Sequence, residues 1–309
     1  MKKKCSNWIL ILIFLLGLGI VLYPSISDQW NRRTQSAVVN NYDQTIEAID
    51  NDQYKEVLEE AHRFNERLYE SGLSYEDQKD IEGYEDTLNV DGSKMMGYIE
   101  IPKIDVKLPI YHGYSDAVMA SAVGHLKGTS LPVGGINTHS VLSSHRGLPS
   151  ARLFTDLDKL EEGDTFSITV LSEHLTYQIF KIRIVEPQVV RPLDIVPGQD
   201  LCTLVTCTPY GINTHRMLLT ARRVDNALEH QYRITSDARR RDPLTLAPVI
   251  GLLLLLLIWP VFLHRTKPAS GESLKRGPKL HRPGGRHTGA GKRCPATGER
   301  RVDQASRRI

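Results

Sequence analysis

Residues 201–223, LCTLVTCTPYGINTHRMLLTARR, set two apolar runs, 203–207 and 216–220, on either side of a polar loop containing Pro209, Gly211 and Asn213. This is the pattern of two antiparallel strands and their connection. Cys207 closes the first run and Arg216 opens the second. Eight residues separate them in sequence, yet antiparallel pairing brings their backbones to within about 5 Å. A thiol then stands beside a permanent cation.

Similar short runs recur upstream at 98–101, 106–111, 140–144, 165–171 and 176–185, punctuated by Pro102, Pro109, Gly113, Pro132, Gly134, Gly135, Pro149, Gly163 and Pro197. With 201–206 and 217–221 they predict a mainly β domain, barrel or sandwich, interrupted by a short helical stretch at 115–122. Residues 28–72 read differently. Tyr42, Ile46, Ile49, Tyr54, Val57, Leu58, Ala61, Phe64 and Leu68 recur at three- and four-residue steps, predicting one or two amphipathic helices packed on the β domain. Between them, 71–95 is acidic and without period, and is expected to be a long surface loop of the kind that forms lids and linkers.

Both ends depart from globular composition. Residues 8–23 are apolar behind Lys2, Lys3 and Lys4, and 244–263 contain six consecutive leucines. The second is long enough to cross a bilayer; the first fits either a retained anchor or a cleaved signal peptide. Residues 264–309 hold 13 Lys/Arg against 3 acids, so the positive-inside rule puts both ends in the cytoplasm. Arg239, Arg240 and Arg241, just before the second span, run against that orientation. Taking three lysines and a tail excess of ten from the net +3 leaves the middle of the chain at about −10. The basic tail lacks aromatic interleaving and any recognisable nucleic-acid module, so no nucleic-acid partner is expected.

Of the four cysteines, Cys5 borders the first span and Cys294 lies in the tail. Cys202 and Cys207 fall on one predicted strand, five residues apart and on opposite faces, which forbids a disulfide between them. A thiol attacks a carbonyl as its thiolate, which a neighbouring cation or base favours. Arg216 supplies a cation, and its fork of donors also suits an oxyanion. From these two residues alone, a buried strand cysteine beside a surface arginine is the better fit. A nearby histidine would favour chemistry. His125, His139, His145 and His215 fall in or near loops of the β domain; His145 ends a strand-like run before a Gly-Pro turn, and His215 is its rival beside Arg216.

TLVTC (203–207), Arg216 nine residues on and LSSHRGLP (142–149) upstream resemble the sortase family, as do GYIEIPKIDVKLPIYHG (97–113), VGHLKGTSLPVGG (123–135) and LFTDLDKLEEGD (153–164). The pattern is most similar to class C, the pilin-polymerising sortases of Gram-positive bacteria. The resemblance implies a closed eight-stranded β barrel with N-terminal amphipathic helices and a transmembrane helix at each end. It puts the nucleophile at Cys207, the catalytic histidine at His145 and the arginine at Arg216. It implies cleavage of an LPxTG-like sorting signal at Thr-Gly through a thioacyl enzyme and transfer to a lysine of another pilin, without cofactor or metal, by a monomeric, membrane-embedded enzyme.

The expected division is an N-terminal membrane segment at 1–27, a helical extension and lid-like loop at 28–96, the catalytic barrel at 97–225, a linker at 226–243, a second span at 244–263 and a basic tail at 264–309. One departure stands out. Class C members carry an Asp-Pro-aromatic tripeptide in the lid, and 71–95 contains none; Tyr75 and Tyr84 are the aromatics available to occupy the groove, the alternative being an open site. Competing readings are a housekeeping or class B sortase joining surface proteins to a cell-wall amine, a cysteine protease, and a non-catalytic pilus assembly factor.

Overall fold

A computed structural model of the chain describes residues 2–77 and 82–226. The expected linker from 227 onward, the second apolar span and the basic tail lie outside these residues. Among the described residues, eight strands close into a barrel in the order β1-β2-β3-β4-β7-β8-β6-β5. They are β1 (Met95–Ile101), β2 (Val106–His112), β3 (Val123–His125), β4 (Thr138–Ser143), β5 (Thr165–Val170), β6 (Glu173–Val185), β7 (Asp200–Thr208) and β8 (His215–Val224). The pairs β2–β3 and β4–β7 are parallel and the other neighbours antiparallel.

Alternation along the strands fills the interior. Ile99, Ile110, Leu142, Ile168, Leu204 and Leu219 are all fully buried there. Cys202 joins them, whereas Val205 belongs to a second apolar cluster with Val141, Leu218, Leu193 and Tyr75. Residues 202 and 204 alternate with 205 and 207, so β7 is covered on both faces. That explains why 201–206 reads as a continuous apolar run rather than an alternating one.

Two helices precede the barrel. Helix α1 (Lys2–Ala48) leaves Leu12, Leu16, Ile20 and Trp30 exposed in its first half and buries Val39, Tyr42 and Ile46 in its second. It contains an apolar stretch long enough to cross a membrane, none of which is buried in the protein. The Tyr42 hydroxyl donates to Met96 O at 2.9 Å and accepts from Leu171 N at 2.8 Å, pinning the helix to the barrel. Helix α2 (Asn51–Glu70) buries Ala61, Phe64, Asn65 and Leu68 along one stripe. Its Asn65 side chain accepts from Leu131 N at 2.7 Å and donates to Leu131 O at 3.1 Å, satisfying both backbone groups of a buried residue.

The structure corrects the expected elements in several places. Strand β3 has no counterpart among the runs read from sequence, β1 starts two residues before the expected barrel boundary at 97, and the stretch 115–122 forms only the single turn α3 (Asp116–Met119), capped by Ser115. The segment 71–95 is not simply a surface loop. Tyr84, Leu88 and Met95 from it are buried in the main core.

Tyr84 meets His125, which is wholly buried: its Nδ1 lies 2.9 Å from the Tyr84 hydroxyl and its Nε2 lies 2.8 Å from Ser130 O. Burial pushes the His125 imidazole down from 6.5 to about 4, and lowers His139 as well. The folded value lies below the unfolded one, so the unfolded chain binds the proton first. Stability from this neutral histidine is therefore present above pH 6.5 and lost as pH falls through about 4, amounting to up to about 3 kcal/mol. Urea midpoints should fall between pH 7 and pH 4.5, and His125→Leu, though less stable at neutral pH, should show a shallower fall. Parallel curves would show that His125 is not the titrating group.

Candidate active site

Strand β7 lies between β4 and β8, and its register aligns the residues singled out from sequence. Cys207 is paired directly with Arg216 across the antiparallel β7–β8 ladder. On the other side, Ser143 is paired with Val205 in the parallel β4–β7 ladder. Pairing continues beyond β4: Ser144 N donates to Val205 O at 3.3 Å, and Thr206 Oγ1 donates to Ser144 O at 3.0 Å. Carrying the same register one residue past Ser144 would bring His145 level with Cys207. His145, Cys207 and Arg216 therefore form one row across three strands, on the outer face that also carries Val141, Val205 and Leu218.

Each member of the row is held by local structure. The His145 carbonyl accepts from Phe154 N at 3.1 Å, which anchors the turn following β4. Arg216 donates through Nη1 to Asn213 O at 3.3 Å and His215 O at 3.2 Å. Only that edge of its fork is engaged among the described residues, which leaves donors for an oxyanion. Cys207 is a half-buried free thiol, whereas Cys202 is fully buried and free, with burial pushing its thiol well up.

The other histidines take different places. His215 adjoins Arg216 on β8 and so projects from the opposite face; its Nδ1 lies 2.9 Å from Thr214 Oγ1. His125 and His139, expected near loops, sit within strands and are buried. His139 Nδ1 lies 2.8 Å from Asp194 O and its Nε2 lies 2.7 Å from Thr203 Oγ1, which in turn is 3.1 Å from Thr220 Oγ1. This chain of contacts ties the β6–β7 connection to the outer face of the barrel.

The two tyrosines of the lid-like segment separate. Tyr75 lies in the outer-face cluster with Val205, two residues from Cys207, and its backbone N donates to Asp194 Oδ1 at 3.0 Å. Tyr84 is instead a core residue among Phe64, His112 and His125. Its hydroxyl also accepts from Gly113 N at 3.0 Å, so it is committed to the barrel rather than to the groove. Asp194, which no sequence motif marks, links both the β6–β7 connection and the Tyr75 segment to this face.

A family profile described as the sortase domain matches residues 99–224. The chain is 34% identical over 117 residues to sortase A of Streptococcus agalactiae serotype III, covering 37% of this chain and 47% of that protein. It spans only 47% to 60% of the curated relatives it matches. Among solved structures, sortase C1 of Streptococcus agalactiae is 46% identical with a TM-score of 0.57, covering 62% of this chain and 99% of that one. Clostridium perfringens sortase C, solved with a C-terminal cell wall sorting motif, is 39% identical with a TM-score of 0.56, over 62% of this chain and 99% of that one.

The two thiols give a direct check on the two faces of β7. In the folded protein iodoacetamide should modify Cys207 and leave Cys202 intact until denaturant is added, as read by peptide mass spectrometry. Equal labelling of both would contradict the assignment of faces.

Proposed function

The chain belongs to the sortase family, and we propose that it is a pilin-joining cysteine transpeptidase of class C. The row His145, Cys207, Arg216 carries this reading, because it brings a thiol, an acid–base group and an oxyanion donor to one face of one sheet. In the proposed reaction the Cys207 thiolate attacks the threonine carbonyl of an LPxTG-like sorting signal. The carbonyl π electrons move to oxygen, and Arg216 stabilises the resulting oxyanion. The tetrahedral intermediate collapses, the Thr-Gly C–N bond breaks, and His145 gives its proton to the departing glycine amine. A thioester remains on Cys207.

A lysine amine of a second pilin then attacks the thioester carbonyl while His145 takes up its proton. The C–S bond breaks, the thiolate returns and an isopeptide bond is left. The thioester retains the reactivity of the cleaved amide, so the exchange is close to isoenergetic. The structure of Clostridium perfringens sortase C with a C-terminal cell wall sorting motif supports a substrate of this type, and the sortase C relatives support pilins as its carriers.

The proposed setting is a Gram-positive cell membrane with the barrel outside and both termini inside. The exposed apolar first half of α1 supports an anchor, and the charge distribution supports the orientation. The division at 1–27, 28–96 and 97–225, with linker, span and tail beyond, is proposed with it, as is a monomeric barrel. The segment around Tyr75 is proposed as a plug that competes with the sorting signal for the groove beside Val205. It uses a single aromatic side chain and the Tyr75–Asp194 backbone contact where class C members use an Asp-Pro-aromatic tripeptide.

Incubating the protein with a sorting-signal peptide should give a thioacyl adduct on Cys207 by mass spectrometry. Cys207→Ala should abolish it, while His145→Ala and Arg216→Ala should slow its formation by about 10²–10⁴-fold. Consumption of peptide with no adduct on Cys207, or with adduct elsewhere, would refute the reading.

Tyr75→Ala keeps the backbone donor to Asp194 and removes only the ring. If the ring plugs the groove, losing roughly 1.5–3 kcal/mol of burial should raise acylation at low peptide concentration about tenfold or more. Unchanged acylation would show that Tyr75 does not compete with substrate.

A further inference from the structure

The β7–β8 connection does more than join two strands. Tyr210, three residues beyond Cys207, is 59% exposed, yet its ring lies against the turn that follows His145. The Arg146 guanidinium lies 5.9 Å from the ring centroid. Gly147 lies beneath the same ring at φ +79°, where a Cβ would come within 3.0 Å of Tyr210 Cε2. Only glycine gives both that backbone conformation and that approach. Arg146 and Gly147 directly follow His145, so one ring rests on the two residues that set the direction of the histidine.

Arg146 is itself fixed from the other side. Its side chain is only 7% exposed and pairs through Nη2 with Asp158, while its Nε is buried and has no hydrogen-bond partner among the described residues. An unmet buried donor costs about 1–3 kcal/mol, which a surface lysine or an apolar residue would avoid. What this arginine offers in return is a flat cation that can stack on a ring while pairing with a carboxylate. Gly147 N donates to Thr155 Oγ1 at 3.1 Å, so the turn is held to the following loop as well.

The far end of the same connection holds Arg216. Ile212 N and Asn213 N both donate to Pro209 O, at 3.1 and 3.0 Å, forming a compact turn. Asn213 O then accepts from Arg216 Nη1 at 3.3 Å. The loop from 209 to 214 thus touches the His145 turn at one end and the Arg216 guanidinium at the other.

We propose that Tyr210 is a positioning residue, and that its contact with Arg146 and Gly147 braces the His145 turn against the loop that holds Arg216. The brace sets the spacing of proton donor and oxyanion donor on either side of Cys207. The β7–β8 ladder fixes the backbones of Cys207 and Arg216, but His145 lies beyond the end of β4 and is held there by the Phe154 N contact to its carbonyl. Tyr210 adds a second constraint on that turn. This inference rests on the assignment of His145, Cys207 and Arg216 as the reacting groups.

The test is single-turnover acylation of the full chain in detergent by a synthetic LPETG peptide, followed by quench and mass spectrometry of Cys207. Misplacement by about an ångström costs about 10²-fold, so Tyr210→Ala should lower the maximal acylation rate by roughly ten- to a hundredfold. The peptide concentration for half-maximal rate should change far less, and the pH profile of acylation should shift because His145 is displaced. Tyr210→Phe, which keeps the ring, should recover most of the rate. Arg146→Lys, which keeps the charge but not the planar guanidinium, should resemble Tyr210→Ala, and the double variant should be no worse than either single one. Wild-type acylation kinetics in Tyr210→Ala would overturn the proposal. So would a defect confined to transfer onto an added lysine peptide, which would make Tyr210 a contact for the acceptor. Failure of the wild-type protein to form any adduct on Cys207 would instead overturn the site assignment, and this inference with it.

Discussion

Backbone hydrogen bonding along both edges of β7 is the constraint on which the site depends. The strand pairs in parallel with β4 and antiparallel with β8, and neither register can slip alone. A shift by one residue would turn Cys207 into the barrel interior and Cys202 out of it. The apolar interior set of Cys202, Leu204, Leu219 and Leu142 therefore does more than stabilise the barrel. By fixing which residues face inward, it fixes which residues stand in the outer row.

The outer face is built from two unlike materials. Toward the start of β7 it carries the polar contacts of His139, Thr203 and Thr220, and toward the end it carries the apolar groove and the thiol. Asp194 joins them, accepting from the Tyr75 backbone through its carboxylate and meeting His139 through its carbonyl. The connection bearing Leu193 and Asp194 is thus held at its polar end while its apolar end forms a wall of the groove.

Much of this was legible from sequence because it is local. Cys207 and Arg216 are joined by one turn, and a hairpin can be counted out by hand. His145 could be picked out as a strand-end candidate, but its choice over His215 as the partner of Cys207 rested on resemblance, since parallel pairing of β4 with β7 spans more than fifty intervening residues and leaves no periodic trace. Strand β3 was missed for a related reason: it has three residues, one of them Gly124, whose missing side chain makes room for Gly113 O. His125 and His139 read as loop histidines because polar residues are usually exposed; what permits their burial is partners from distant segments, Tyr84 and Asp194. Tyr84 and Leu88 belong to a segment without period, and irregular segments can fill a core without announcing it. The Tyr210 contact was invisible too, since nothing in TPYG or HRG indicates that the two motifs meet.

Helix α1 runs without interruption from Lys2 to Ala48, so the exposed apolar half and the half bolted to β1 by Tyr42 are one rod. At 1.5 Å per residue such a rod is about 70 Å long. A flexible tether would let a domain roll and dip freely, whereas a continuous helix transmits orientation as well as position. Whatever fixes the apolar half also sets the height and heading of the row on β7. Pro24 is the one residue inside that rod that brings no backbone donor, so the helix is least tightly hydrogen-bonded there.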